Sequence, residues 1–169
     1  IRRQRQMCIR DRDSALKTYK PAKIRNIALL GHQAAGKTTL AEAILFKTKA
    51  IGRMGSVDEG TSNLDYHANE IERKTSIYLA LGACEYEGTK FNILDTPGFE
   101  DFRGDVSAAL AVVESGVLLV RADGGVEVGT ESLWGQLDRQ EMPAMIVVSR
   151  MDKEHADFQS AMDQIRSTL

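Results

Sequence analysis

Residues 31–40 read GHQAAGKTTL, and this stretch decides how the chain folds. It matches the pattern Gly-x-x-x-x-Gly-Lys-Thr, in which a glycine-rich loop turns its backbone N–H groups toward phosphate oxygens. Lys37 is expected to contact the β and γ phosphates of a nucleotide, and the Thr38 hydroxyl to bind Mg²⁺. The residues predicted to contact the nucleotide here are Gly31, His32, Gln33, Ala34, Ala35, Gly36, Lys37, Thr38 and Thr39.

The sequence on either side of the loop favours this interpretation over a plain glycine-rich turn. Residues 23–30, KIRNIALL, form a short apolar run that predicts a buried strand. Residues 37–50 place Leu40, Ala43 and Ile44 at helical spacing. Strand, loop and helix in this order are the arrangement that a phosphate-binding loop requires.

The rest of the chain alternates strand-like and helix-like segments, which is typical of an α/β fold. Between residues 49 and 74 lies a segment rich in Gly, Ser, Asn and charge, and a loop of that length is usually functional or mobile. The last helix should bury Phe158, Met162 and Ile165 on one face. The predicted elements are strands at 75–88, 89–95, 115–123 and 143–149, the first two forming a hairpin across Glu87 and Gly88, and helices at 126–141 and 153–169.

Composition limits the possible functions. The chain has 169 residues, enough for one domain, with 43% hydrophobic and 27% charged residues. The net charge is −2, but the charges are unevenly distributed: the first 25 residues are basic, and residues 26–169 carry 13 basic and 22 acidic side chains. This part is not expected to bind DNA, and contact with RNA would need a local patch. No apolar run is long enough for a membrane span. Cys8 and Cys84 lie far apart and lack the spacing of metal ligands, which fits a reducing, cytoplasmic setting.

The ends of the sequence differ from the middle. Residues 1–16 begin IRRQRQMCIRDRD, which is either a basic arm or, as we favour, an artefact resembling translated adapter sequence. The chain stops within a helix-like pattern at residue 169, without a helix stop signal. We therefore expect a domain over 17–169 that is truncated at its C-terminal end.

Two further motifs narrow the nucleotide. In LDTPGFEDF, Asp95 ends a predicted strand and can hold Mg²⁺ through water, and the Gly98 N–H can reach the γ-phosphate. A Pro-Gly turn after a strand would be the alternative if this motif stood alone. In SRMD, Asp152 can accept hydrogen bonds from guanine N1–H and N2–H₂, which adenine lacks, and the Arg150 stem can cover the base. Standing alone, SRMD could be a solvated helix cap, but after the other two motifs it favours guanine over adenine.

With these motifs the chain resembles the GTP-binding domain of the translational GTPases, most closely elongation factor G and its paralogues. The resemblance rests on IRNIALLGHQAAGKTTLAEAIL, FNILDTPGFEDF, ADGGVEVGTESLWGQ and VVSRMDKEHADF, and it spans about residues 17–169. It implies a P-loop NTPase fold with a mainly parallel central sheet and helices on both faces. It also implies GTP or GDP and Mg²⁺ as ligands, Lys37 and Gly98 as catalytic groups, and the ribosome as partner.

Departures from the usual motifs point to a divergent paralogue. Phe99 stands where elongation factor G usually has the His that positions water, and Ala34 replaces an Asp of the loop. Ser149 and Arg150 replace Asn-Lys of the base motif, but they remain predicted nucleotide contacts with Asp152. In RKTS, which stands for the usual Arg-Gly-Ile-Thr, Ser76 is expected to bind Mg²⁺ with Thr38 and Asp95, and Thr75 is the competing candidate.

The functional expectation is a GTP-hydrolysing switch domain of an elongation-factor-G-like protein, slow without a partner because Phe99 cannot hydrogen-bond. The alternatives are a GTP-binding module with little hydrolysis, a ribosome-protection or release-factor type of GTPase, and an ATPase using the same loop. His67 and His155 are interpreted as surface residues rather than as replacement catalytic groups.

Overall fold

A computed structural model describes residues 17–169, so that predictions about residues 1–16 and Cys8 lie outside the described residues. Five strands form one sheet in the order β2-β3-β1-β4-β5. β2 and β3 are antiparallel, and all other neighbouring pairs are parallel. The strands are β1 (Ile24–Gly31), β2 (Ala80–Tyr86), β3 (Thr89–Asp95), β4 (Ser115–Arg121) and β5 (Ala144–Ser149).

Helices cover both faces of this sheet, which confirms the predicted α/β P-loop fold. Two short 3₁₀ helices are also present, Pro21–Lys23 just before β1 and Glu100–Phe102 just before the α-helix that begins at Arg103. No helix in residues 17–169 is both long and apolar enough to cross a membrane. The α-helices are α1 (Lys37–Lys47), α2 (Ala68–Arg73), α3 (Arg103–Leu110), α4 (Val128–Arg139) and α5 (Phe158–Thr168).

Alternation along β1 produces two apolar cores, one on each side of the sheet. Leu30 points to a core shared with α3 and α4, where Leu110 and Leu137 are buried. Leu29 points to the opposite core, where Ala41 and Leu45 of α1 pack. Successive side chains of a strand face opposite sides, so one continuous apolar strand can serve two helical layers.

The local sequence explains most element boundaries. The β2–β3 hairpin turns at Glu87 and Gly88, whose φ angles of 48° and 71° are those of a two-residue turn matched to the twist of the strands. Gly36, with φ of 87°, ends the phosphate loop and starts α1. The predicted hairpin and the predicted strand–loop–helix unit are therefore confirmed.

Three predictions about elements were wrong in detail. β2 begins at Ala80 rather than at residue 75, because the N–H groups of Ile77 and Tyr78 bond to the Glu70 carboxylate instead of to a strand. The loop at 49–74 contains the short helix α2. α5 starts at Phe158, whose side chain is 51% exposed at the first turn, while Ala161 and Ile165 carry the packing.

Candidate functional site

The predicted site residues collect at the carboxyl edge of the sheet. β1 lies between β3 and β4, and the parallel strands all end on this edge. The loop 31–36 leaves β1 there, Asp95 is the last residue of β3, and Ser149 is the last of β5. The carboxyl edge where strand order changes direction is the usual ligand crevice of α/β sheets.

Lys37 is folded back over the phosphate loop. Its Nζ donates hydrogen bonds to the carbonyl oxygens of Gly31 and His32, each at 3.0 Å. Burial lowers the pKa of Lys37 to about 8, and the nearby charges of Asp95 and Asp65 oppose that shift. A buried ammonium held by carbonyl oxygens is pre-positioned to exchange them for stronger anionic acceptors such as phosphates.

Asp95 lies at the bottom of the site. It is 1% exposed, and neither carboxylate oxygen has a hydrogen-bond partner among residues 17–169. Burial raises the pKa of Asp95 to about 7, with the Thr38 hydroxyl and the Lys37 ammonium acting in the opposite direction. Buried polar atoms without partners are rare and call for a bound group, so Asp95 fits a cation or its water.

Thr38 and Ser76 come together from distant parts of the chain. Their hydroxyl oxygens are 2.9 Å apart, one donating to the other. Thr75, the competing candidate, instead uses its backbone N–H to bond the Glu70 carbonyl at 3.2 Å. The geometry therefore favours Ser76 over Thr75 as the second hydroxyl of the site.

Asp65 belongs to the same group, although the sequence analysis did not select it. It is 3% exposed, and both of its carboxylate oxygens lack hydrogen-bond partners within the described part of the chain. Burial raises the pKa of Asp65, the charges of Glu70 and Glu42 add to that effect, and Ser76 and Lys37 oppose it. Asp65 had no motif to identify it, because it lies in the irregular segment 49–74.

Gly98 packs directly against the phosphate loop. A Cβ atom at this position would lie 2.6 Å from the Lys37 Nζ and 2.9 Å from the Gln33 backbone nitrogen. Any side chain here would force the loop and the segment after β3 apart. Phe99 follows, half-buried in a crevice with Gly31, and its ring meets Phe102 edge-on with centroids 6.2 Å apart.

The base motif is only partly assembled against the loop. The Ser149 hydroxyl donates to the Ala35 carbonyl at 2.8 Å and thereby contacts the phosphate loop directly. Arg150 has a left-handed backbone with φ of 58° and is half-buried. The Asp152 side chain is 78% exposed and lies 3.7 Å from the Lys153 Nζ.

The remaining loop residues differ in exposure. Ala35 is buried, whereas Gln33, Ala34 and Thr39 are exposed and Gly36 is half-buried. Ala34 has φ of 59°, a left-handed conformation that costs some strain for a residue other than Gly. His32 lies 3.6 Å from Glu127 through Nε2, so its ring faces α4 rather than the crevice. His67 and His155 are exposed, as expected.

Comparisons with known proteins identify the family of the chain. Residues 22–169 match the family model for the elongation factor Tu GTP binding domain. The chain is 37% identical over 142 residues to an elongation factor G-like protein of Mycobacterium tuberculosis, covering 84% of the chain and 20% of that relative. It is 38% identical over 152 residues to elongation factor G 2 of Syntrophomonas wolfei, covering 90% of the chain and 22% of the relative.

A solved structure has the same fold. A crystal structure of a protein from Thermus thermophilus superimposes with a TM-score of 0.83 at 39% identity, covering 87% of this chain and 22% of the other. The chain thus spans about a fifth of the length of the proteins to which it is similar.

Proposed function

The chain belongs to the elongation factor Tu GTP-binding domain family, and we propose that it is the GTP-binding, GTP-hydrolysing switch domain of an elongation-factor-G-like protein acting on the ribosome. The observation that carries the proposal is the contact between the Thr38 and Ser76 hydroxyls, beside two buried carboxylates whose oxygens lack hydrogen-bond partners within residues 17–169. Oxygen donors of this kind suit Mg²⁺, which proteins bind through one or two carboxylates together with substrate phosphates.

In this proposal each group has a defined task. Thr38 and Ser76 would hold Mg²⁺ directly, and Asp95 and Asp65 would hold it or its water. When bound, Mg²⁺ neutralises negative charge on the phosphates. Lys37 would move from the loop carbonyls to the phosphates, and the Gly98 N–H would contact the terminal one. Phosphoryl transfer needs positioning and charge stabilisation more than covalent chemistry, and this set supplies both.

The switch follows from where Ser76 and Gly98 lie in the chain. Each belongs to a segment outside the regular sheet, at 50–76 and 98–113. A terminal phosphate held by both segments would keep them against the nucleotide, and its loss would release them. The movement would change contacts with further domains and with the ribosome.

Guanine selectivity is assigned to Asp152, with the Arg150 stem against the base. Titration of a fluorescent GTP analogue in Mg²⁺, with GDP and ATP as competitors, tests it on the wild type and on Asp152→Asn. GDP should compete and ATP should not, and the variant should lose that preference. Equal competition by ATP in the wild type would show that the SRMD motif does not read guanine and would favour the ATPase alternative.

Hydrolysis is the part of the proposal that Phe99 puts in question. Phe99 has no hydrogen-bonding atom on its side chain, so it cannot position water, and the rival function is a GTP-binding module. Single-turnover hydrolysis of bound GTP by the wild type and by Phe99→His separates the two. A hydrolysing domain that lacks only water positioning should speed up by about 10²-fold. No turnover in either protein would favour the binding module.

A further inference from the structure

The hydrogen bond between Ser149 and the phosphate loop limits what Ser149 can contribute to base recognition. The Ser149 hydroxyl has two neighbours, the Ala35 carbonyl at 2.8 Å and the Val120 carbonyl at 3.3 Å. The Ser149 carbonyl in turn accepts from the Ala122 N–H at 2.9 Å. Ser149 thus connects the loop, β4 and β5 at the point where the nucleotide is expected.

Both neighbours of the hydroxyl are acceptors, and a serine hydroxyl has a single hydrogen to donate. That hydrogen goes to the closer carbonyl, at Ala35. Guanine presents acceptors at N7 and O6 and donors at N1 and N2. Ser149 therefore has no hydrogen left for N7 or O6 while it holds the loop, and the N1 and N2 donors, which its lone pairs could still accept, are the ones assigned above to Asp152.

We propose, on the basis of the function proposed above, that Ser149 is a positioning residue for the phosphate loop and takes no part in reading the base. Ala35 is buried at the inside of the loop, so fixing its carbonyl fixes the curvature of the residues before Lys37. The N–H groups of this loop are the expected phosphate donors. Ser149 then supports affinity for any ligand that uses the loop, and base choice rests on Asp152.

The test compares three ligands that differ only in the base: GDP, 7-deaza-GDP, which lacks the N7 acceptor, and IDP, which lacks the N2 amino donors. Equilibrium dissociation constants are measured on the 169-residue chain as wild type, Ser149→Ala and Ser149→Thr. Thr keeps the hydroxyl and suits a strand. Circular dichroism of each protein without ligand checks that the folded fraction is the same.

We expect Ser149→Ala to weaken all three ligands by the same factor, about 3- to 10-fold, as for one neutral hydrogen bond. Ser149→Thr should bind like the wild type. A loss seen with GDP that disappears with 7-deaza-GDP or with IDP would overturn the proposal, because Ser149 would then read that atom. No loss with any ligand would overturn it as well.

Failure of this inference is distinguishable from failure of the proposed function. If the wild type binds ADP as well as GDP, the guanine assignment is wrong, whatever the Ser149 variants do. If the wild type prefers GDP and Ser149→Ala changes that preference, only the role of Ser149 is wrong. Asp152→Asn in the same assay is the matched control, because it should change the preference among bases and leave loop contacts intact.

Discussion

Among residues 17–169, four carboxylates are buried around the phosphate loop, and they fall into two pairs with opposite surroundings. Glu42 and Glu70 are 0% and 2% exposed, and hydrogen-bond donors surround both. Asp65 and Asp95 are buried as deeply, but within residues 17–169 their oxygens accept no hydrogen bond of ordinary geometry, and the nearest donors are single hydroxyls, of Ser76 and of Thr38. Burial alone therefore does not show what an acidic residue does; its hydrogen-bond partners do.

Glu42 and Glu70 build the scaffold. Glu42, on α1, accepts bonds from the Gly55 N–H at 2.9 Å, from the Ser62 hydroxyl at 2.9 Å and from the N–H and amide of Asn63. Such bonds to a charged acceptor are stronger than neutral ones. They fix the first half of the irregular segment to the helix that follows the phosphate loop.

Glu70, on α2, fixes the second half. Its carboxylate accepts from the backbone N–H groups of Ile77 at 3.0 Å, Tyr78 at 3.1 Å and His67 at 3.2 Å. Asp65 and Ser76 lie between the residues that the two glutamates hold. Glu42 and Glu70 therefore hold the chain on both sides of Asp65 and Ser76. This explains how an irregular segment brings a carboxylate and a hydroxyl to one point.

The comparison predicts opposite results for one chemical change, carboxylate to amide. Glu42→Gln should lower the free energy of unfolding by about 3 kcal/mol, because the new NH₂ group faces donors and leaves them unpaired. Urea unfolding without nucleotide or metal measures this, and Glu59→Gln, at an exposed acid, is the matched control. A Glu42→Gln protein as stable as the control would mean that the segment does not depend on this carboxylate.

Asp95→Asn should instead stabilise the protein when metal and nucleotide are removed, by about 2 kcal/mol at pH 8. Burial raises the pKa of Asp95 to about 7, above its ordinary value of 3.8. The folded state therefore binds the extra proton between these values, and the contribution of Asp95 to stability is full below about pH 4 and is lost as pH rises to about 7.

The measurement is the free energy of unfolding in EDTA at several pH values from about 5 to 8. The wild type should lose stability relative to Asp95→Asn as the pH rises, and the gap should stop growing above about pH 7. A gap that stays constant with pH would mean that the carboxyl does not titrate in this range.

Asp65→Asn should mainly weaken the binding of Mg²⁺. We expect the Mg²⁺ concentration needed to retain bound GDP to rise about 10-fold, the size found when carboxylates around a metal are altered. GDP release followed by fluorescence against Mg²⁺ concentration measures this, with exposed Asp58→Asn as control. An unchanged Mg²⁺ dependence would remove Asp65 from the site and leave its burial without an explanation.

The two pairs also show what sequence can predict. The loop 31–38, its strand and its helix were predictable because adjacent residues specify them, and so was the turn at Glu87 and Gly88. The placement of Asp95 at the end of β3, and of Gly98 just after it, was predictable because a motif fixes these positions relative to a strand end, whereas their roles stay predictions.

Asp65 was not predictable in this way. Its place depends on side chains that are distant in sequence, above all Glu42, which reads as an ordinary helix residue. The same cause moved the start of β2 from residue 75 to Ala80, because Glu70 holds the N–H groups that a strand would have used. When backbone N–H groups bond to a carboxylate that is distant in sequence, the local sequence shows no pattern that would predict it.

The smallest expected effect distinguishes Ser76 from Thr75 as the hydroxyl that binds Mg²⁺. Ser76→Ala should weaken retention of GTP in Mg²⁺ about threefold to tenfold, because its hydroxyl meets Thr38 at 2.9 Å. Thr75→Ala should change it less than about twofold, because Thr75 contributes its backbone N–H to Glu70, which Ala also supplies. Since the hydroxyl is expected to serve the terminal phosphate state, retention of GDP should change less than retention of GTP in Ser76→Ala. If Thr75→Ala weakened GTP retention more than Ser76→Ala, Thr75 and not Ser76 would be the metal-binding hydroxyl. The segment would then be shifted by one residue relative to the structure described.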